Sequence, residues 1–311
     1  MTTTERPDES YAGGPNASTD CGPVAIIGLG RAGKALAFEF ATAGIPLAGT
    51  WNRTQRDRPE ALSGVPDYWG GSAPPPELLE QAKVVLLTVA DDAIHTLASQ
   101  LQLAQDTVLL HISGSMPAAV LGAPPPGTRT GSYHPLQSFS NIATPSDPAP
   151  SYCVALEGGD EAVATGQALA RKTGHPSVVL RPGAKPAYHA AAVLASNGLV
   201  ALTAAAVRIL NSVGIEDDDA WELLQPLVRG TVNNLDHAQP ADALTGPIVR
   251  GDVSTVARNL RALEDDAGAT SIYRALGTEA MRLAAQRGMS AAQLALMANA
   301  LVAPVERAND D

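Results

Sequence analysis

From Val24 onward the chain alternates short, wholly apolar runs with stretches in which apolar residues return every third or fourth position. The first pattern suits strands buried on both faces, and the second suits helices that cover one side of a sheet. "VAII" leads through three glycines into "ALAFEFATAG", and "PLAGTWNRT" supplies the next strand. "KVVLLTVA" leads into the helical "DDAIHTLASQL", where Asp91 or Asp92 occupies the expected N-cap. "DTVLLHISG", "TGSYHPL", "SYCVALEG" and "SVVLRP" follow, with "DEAVATGQALARKTG" as a helix between the last two. The alternation predicts a doubly wound α/β sheet over residues 23–182.

Beyond Pro182 the strand signals stop. Alanine- and leucine-rich helical periods fill residues 183–311, split at "GIEDDD", "TGPIVRGD" and "QRGMS". The fold class is thus α/β with an all-α second domain. The Pro-rich patches "APPPE", "APPPG" and "TPSDPAPS" read as surface loops of the first domain.

Composition narrows the partners. A chain of 311 residues accommodates two domains. Its net charge of -11 provides no field to attract a phosphate backbone or anionic lipid. Cys21 and Cys153 are the two cysteines, with no ligand spacing around either, so no metal is expected. Residues 1–22 have no apolar signal core and read as a disordered leader, which leaves the "NAS" at Asn16 without a secretory route. The expectation is a cytoplasmic protein that binds a small molecule and neither nucleic acid nor membrane.

The chemistry starts at the first turn. Gly28, Gly30 and Gly33 stand at G-x-G-x-x-G spacing between a strand and a helix, enclosing Leu29, Arg31 and Ala32. Such a loop turns tightly, admits a pyrophosphate to backbone amides and packs its helix close to its strand. The second strand ends in Asn52, Arg53 and Thr54, with Arg56 and Arg58 beyond, and offers no carboxylate for ribose hydroxyls. Arginine there suits the 2′-phosphate of NADP. By the switch-point rule, Val89, Ala90, Ser113, Gly114 and His134 join the ligand side at other strand ends.

The segment "KPAYHAAAVLASNGLVALTAAAVRIL", Lys185 to Leu210, is long and apolar enough to raise the question of a membrane span. On one continuous helix Lys185, His189, Ser196 and Thr203 fall along one line, with Asn197 on its shoulder. That alignment predicts a core helix with one working edge. A reduction by NADPH needs a proton donor and a polarising hydrogen bond, which His189, Lys185 and Asn197 can supply, with Ser196 as a substrate contact. Pro186 at the first helical position would place Lys185 at the N-cap, where desolvation and the helix dipole lower its pKa. Which of Lys185 and His189 is the donor stays open. Structural roles compete: Ser196 and Thr203 can bond a preceding carbonyl, and Asp252 makes a good helix cap beside Arg250, which could otherwise reach a substrate anion; Arg250, Thr245 and Tyr273 are also candidates for closing the site of a second subunit. His95, His111, His175 and His237 have no companions in sequence and read as structural.

A glycine loop, Asn-Arg-Thr after the second strand, and a helical half opening on a lysine together resemble the 6-phosphogluconate dehydrogenase-like superfamily. More closely, "HISGSMPAAVL", "GSYHPLQSF", "YHAAAVLASNGLVAL" and "LTGPIVRGD" are similar to a bacterial family of Rossmann-like oxidoreductases whose C-terminal domain has no assigned function. The resemblance implies an NADP-dependent reductase of a small carbonyl or imine, such as an oxoacid, working in an interdomain cleft. It implies a catalytic role for Lys185, with His189 where β-hydroxyacid dehydrogenases have asparagine. It also implies substrate contacts from Ser113, Gly114 and His134, and a homodimer formed through the C-terminal helices. A non-catalytic NADP-binding redox sensor is the alternative.

Overall fold

The computed structural model describes residues 21–123, 125–139 and 151–303. Most of the predicted leader, including Asn16, and most of "TPSDPAPS" lie outside the described residues. The leader ends sooner than expected, because Cys21 is buried in the main apolar core.

The described strands are β1 (Val24–Ile27), β2 (Leu47–Asn52), β3 (Asp67–Trp69), β4 (Val84–Leu87), β5 (Val108–His111), β6 (Arg129–Pro135), β7 (Val154–Gly158) and β8 (Ser177–Val179). They form one sheet in the order β3-β2-β1-β4-β5-β6-β7-β8. All neighbours are parallel except β6 and β7. That pair runs antiparallel, with Gly131 opposite Gly158 and Pro135 opposite Val154. β1, β4 and β5 are buried at every position, as their unbroken apolar runs predict.

α1 (Arg31–Thr42) illustrates how the helices dock. Gly33, Leu36, Ala37 and Phe40 share one face and are buried. Phe40 lies edge-on to Tyr133 of β6. Removing Leu36 and Phe40 from water contributes about 1.5–3 kcal/mol each. The helix stops at Gly44, whose φ of +70° lets Ile45 N–H reach back to the Phe40 carbonyl.

α2 (Pro76–Gln81), α3 (Asp91–Ala98) and α4 (Asp160–Lys172) complete the crossovers. α3 corrects one expectation: neither Asp91 nor Asp92 caps it, the N-cap being Ala90.

The chain divides into two compact units, residues 1–194 and 195–311. The division falls beyond the change of composition at Pro182, because α5 (Lys185–Ala195) sends Lys185 and Tyr188 onto groups of the sheet unit. Among the described residues the second unit contains helices and no strand: α6 (Asn197–Ser212), α7 (Asp217–Leu235), α8 (Pro240–Ala243), α9 (Val253–Ala262), α10 (Ala267–Gln286) and α11 (Ala291–Val302). Its core gathers Ile248, Val256, Leu260, Met297 and Leu301. Gly277 brings α10 close to α11, since a Cβ there would meet a Leu301 methyl at 2.7 Å. Asp252 and Asp266 accept from backbone amides at the starts of α9 and α10, and Ser290 with Gln293 forms a capping box on α11.

The predicted continuous core helix is corrected twice. Ser196, with φ −105° and ψ −74°, interrupts the helical pattern between α5 and α6. The most apolar part of Lys185–Ser212 is only 6 % buried, and Leu194 and Val200 are among its exposed side chains. By length and composition this stretch remains the one among the described residues apolar enough to cross a membrane.

Candidate active site

The glycine loop has the geometry its spacing requires. Gly28 holds φ +109°, and a Cβ on Gly33 would lie 1.9 Å from the Gly28 carbonyl oxygen. Side chains are excluded at both positions, whereas a Cβ on Gly30 would point into open space. α1 starts directly after this opening with no side-chain cap and no acidic residue in its first turn. Free amides and an open approach suit a pyrophosphate. The loop is braced from two sides: Asn52 Oδ1 accepts from Leu29 N–H at 3.1 Å, and Thr88 Oγ1 donates to the Gly28 carbonyl. Val89 closes against Gly28, with a methyl 2.9 Å from the position of its missing Cβ.

The end of β2 is more selective than its sequence suggests. Asn52 is committed to the loop and, through Nδ2, to the Thr54 carbonyl. Arg58 turns inward to the carbonyls of Leu62 and Val65 and to Asp67, so it is part of the scaffold. Arg53, Thr54 and Arg56 are exposed and remain available, as is Arg31.

A second cluster forms at the carboxyl ends of β5 and β6, with α5 against it. Ser113 is held at every polar atom. Its N–H donates to His111 Nδ1 at 3.1 Å, its hydroxyl donates to Asp91 at 2.8 Å, and its carbonyl accepts from Lys185 Nζ. Asp91 also accepts from Ser115 at 3.0 Å, so one carboxylate clamps the residues on either side of Gly114. Ser113 therefore sets the shape of the loop and has no polar group left for a substrate.

Lys185 is the first residue of α5, one place later than the N-cap position, because the Ala184 carbonyl already accepts from Tyr188 N–H. Its side chain is 1 % exposed, and Nζ also donates to Ser132 Oγ at 2.9 Å. Burial brings its pKa down to about 8. The direction matches the expectation, but the ammonium faces protein groups.

Gly114 is where two imidazoles meet. A Cβ built there would lie 2.6 Å from His189 Nδ1 and 2.7 Å from His134 Nε2. No hydrogen bond is made to either nitrogen among the described residues, and His189 Nδ1 is buried. The other nitrogen of His134, Nδ1, pairs with Tyr188 Oη at 2.9 Å. Burial, then the Lys185 ammonium, hold His134 down at about 4. The same two causes bring His111 to about 4. His111 is fully buried, and its Nε2 has no hydrogen-bond partner among the described residues.

The structure thus brings together Ser113, Gly114, His134, Lys185 and His189. Ser196 and Asn197 lie in the helical unit, both exposed, and Thr203 bonds the Leu199 carbonyl at 2.8 Å, the structural role expected as its alternative. Arg250 and Thr245 are exposed, and the Tyr273 hydroxyl accepts from Asn259.

Sequence reasoning misses Tyr188, His111, Ser132, Thr88 and the clamping role of Asp91. Tyr188 does carry a signal: it stands three residues after Lys185, on the same face of the first helical turn. His175, read as structural, pairs with Glu39 and stacks on Tyr152 at 3.7 Å, far from this cluster in role. Among the described residues no group of His, Cys, Asp and Glu is arranged to hold a metal ion.

Residues 152–280 match the family model described as a domain of unknown function, DUF2520. The match begins at β7, so it is not confined to the helical unit. No curated protein matches the chain. Among solved structures, protein TM1727 of Thermotoga maritima is 25% identical, covering 86% of this chain and 100% of its own, with a TM-score of 0.68. Protein BF3122 of Bacteroides fragilis, provisionally named an NADP oxidoreductase, is 22% identical over 85% of this chain and 99% of its own, at a TM-score of 0.64. A reductive aminase of Aspergillus terreus, solved with NADPH and ethyl-5-oxohexanoate, is 18% identical over 90% and 92%, at 0.51. The chain has the Rossmann-type α/β fold of these structures, with a helical C-terminal part, as its motifs led us to expect, and its residues 152–280 are similar to the DUF2520 model.

Proposed function

We propose that this chain is an NADP-dependent oxidoreductase that reduces a small carbonyl or imine compound. One observation carries the reading: two ring nitrogens without partners, on His134 and His189, converge on Gly114 at the strand ends of a sheet whose first turn is an open glycine loop. The glycine loop fits a dinucleotide. Amides at Gly30–Gly33 would hold the pyrophosphate, and exposed Arg53 and Thr54 would face the 2′-phosphate. When bound, the nicotinamide supplies a hydride.

His189 and His134 are the groups able to hydrogen-bond the reacting atom. Tyr188 orients His134 through its Nδ1, so that Nε2 is left for the ligand side. Lys185, His111 and Asp91 act one step back, by fixing the backbone from Ser113 to Ser115.

Fluorescence titration should show NADPH binding at least tenfold tighter than NADH, and equal affinity would remove the cofactor assignment. His189→Ala should abolish NADPH oxidation with any accepted carbonyl or imine while leaving NADPH binding intact. Unchanged turnover would take His189 out of the reaction.

The helices α6 and α7 expose Val200, Leu223, Leu227 and Leu235, and a second copy of the chain is the partner we propose for them. Light scattering should give twice the 32.0 kDa chain mass. A monomer at micromolar concentration would refute it.

A further inference from the structure

The charges around Gly114 say more about the substrate than the fold does. The cation in this cluster, Lys185, is turned away, its ammonium donating to the Ser113 carbonyl and Ser132 hydroxyl. Two carboxylates act on it: Glu157, which also accepts from Ala118 N–H at 3.1 Å, and Asp91, which grips the hydroxyls of both residues that flank Gly114 and is itself exposed. Facing Gly114 are His134 and His189, each with a ring nitrogen that has no partner. A carboxylate brought here would meet a carboxylate of the same sign and no available ammonium or guanidinium from the cluster. A protonated nitrogen would meet an opposite charge and two ring nitrogens able to accept its hydrogens.

The chemistry points the same way. Reducing a carbonyl requires a proton on oxygen as hydride reaches carbon, and the buried ammonium is committed elsewhere. An iminium already carries its proton. With a reduced nicotinamide bound, its hydride would form the new C–H bond, the C=N π pair would return to nitrogen, and a neutral amine and an oxidised nicotinamide would result.

We infer that the group bound at Gly114 is a protonated imine, held between Asp91 and the two imidazoles, and that this end of the site rejects carboxylates. The inference rests on the reductase reading, but its test is independent of turnover. Cyclopentylamine, cyclopentanone and cyclopentanecarboxylate share a ring and differ in charge. Each is titrated into the full chain carrying ¹³C-labelled histidine, with and without NADPH, and the ring signals of His134 and His189 are followed by NMR.

Cyclopentylamine should shift both signals and bind at least tenfold more tightly than cyclopentanecarboxylate. Asp91→Asn should remove most of that preference while leaving NADPH binding in place. Equal or tighter binding of the carboxylate overturns the inference, as does the absence of any shift with all three probes. Failure of NADPH to bind while the amine still shifts the histidines would count against the reductase reading alone.

Discussion

Replacing Lys185 by Met separates a structural ammonium from a catalytic one. Methionine nearly fills the space of the lysine stem and removes the charge. In the folded chain burial holds Lys185 at about 8, against 10.5 for a lysine in water. At about 1.4 kcal/mol per pH unit, that gap is worth about 3 kcal/mol. Between those two pH values the unfolded chain keeps a proton that the folded chain has shed. Raising the pH through this window therefore favours the folded state, and below 8 both states carry the proton and the dependence disappears. Wild-type protein should gain about 3 kcal/mol of stability over Lys185→Met between pH 8 and 10.5, measured by urea unfolding of both proteins in parallel. Near neutrality the two effects of the change oppose each other: a costly buried charge is removed, and the Ser113 carbonyl and Ser132 hydroxyl lose their donor at about 1–3 kcal/mol each. Parallel stability curves for the two proteins across the alkaline window would show that Lys185 is not the buried ammonium described above. Turnover adds a second criterion. A positioning role predicts a slower variant whose rate keeps the wild-type pH profile, whereas loss of an inflection near 8 would make Lys185 the proton donor.

Gly114→Ala places a methyl within 2.7 Å of two imidazole nitrogens, which must swing aside. A fall in melting temperature worth about 1–3 kcal/mol should accompany a loss of turnover of a hundredfold or more, and full activity would show that the two rings need not meet there. Arg53→Glu should invert the preference for NADPH over NADH, read as a ratio of dissociation constants, and an unchanged ratio would move phosphate recognition elsewhere. His111 and His134, held near 4 in the fold against 6.5 in water, should destabilise the protein as pH falls from 6.5 to 4, since the unfolded chain then binds protons the folded one refuses. Histidine NMR showing either ring protonated at pH 6 would contradict this.

The part of the site that can be read from sequence is the part governed by local backbone geometry. Gly28, Gly30 and Gly33 are informative because one turn between a strand and a helix fixes what each must do. The same holds for Asp252, whose place ahead of "VSTVARNL" is enough to mark it as a helix cap. Ser113 and Lys185 are identifiable by position but not by partner. Strand order alone does not tell that a carbonyl from β5's trailing loop and a hydroxyl from β6 will converge on the first residue of α5. Tyr188 and His111 escape notice for the same reason. Their partners are 54 residues away and two residues away through a turned loop, distances that no periodicity reports.

The long apolar segment fails as a continuous helix for a different reason. Periodicity records which residues could share a face, and it extends past Ser196 without interruption, because serine in an α-helical conformation carries no strong stop signal. The break has a functional consequence in the sheet unit. With α5 ending at Ala195, the residues of this segment that reach the histidine cluster are those of its first two turns, Lys185, Tyr188 and His189. Those turns are held to the sheet by the buried Lys185 ammonium and by the Tyr188 hydroxyl paired with His134. With that ammonium turned to the Ser113 carbonyl and the Ser132 hydroxyl, the side chain that grips both residues flanking Gly114 is the Asp91 carboxylate. Lys185, the residue through which the chain resembles β-hydroxyacid dehydrogenases, is therefore the residue whose placement argues against a carboxylate at this end of the site.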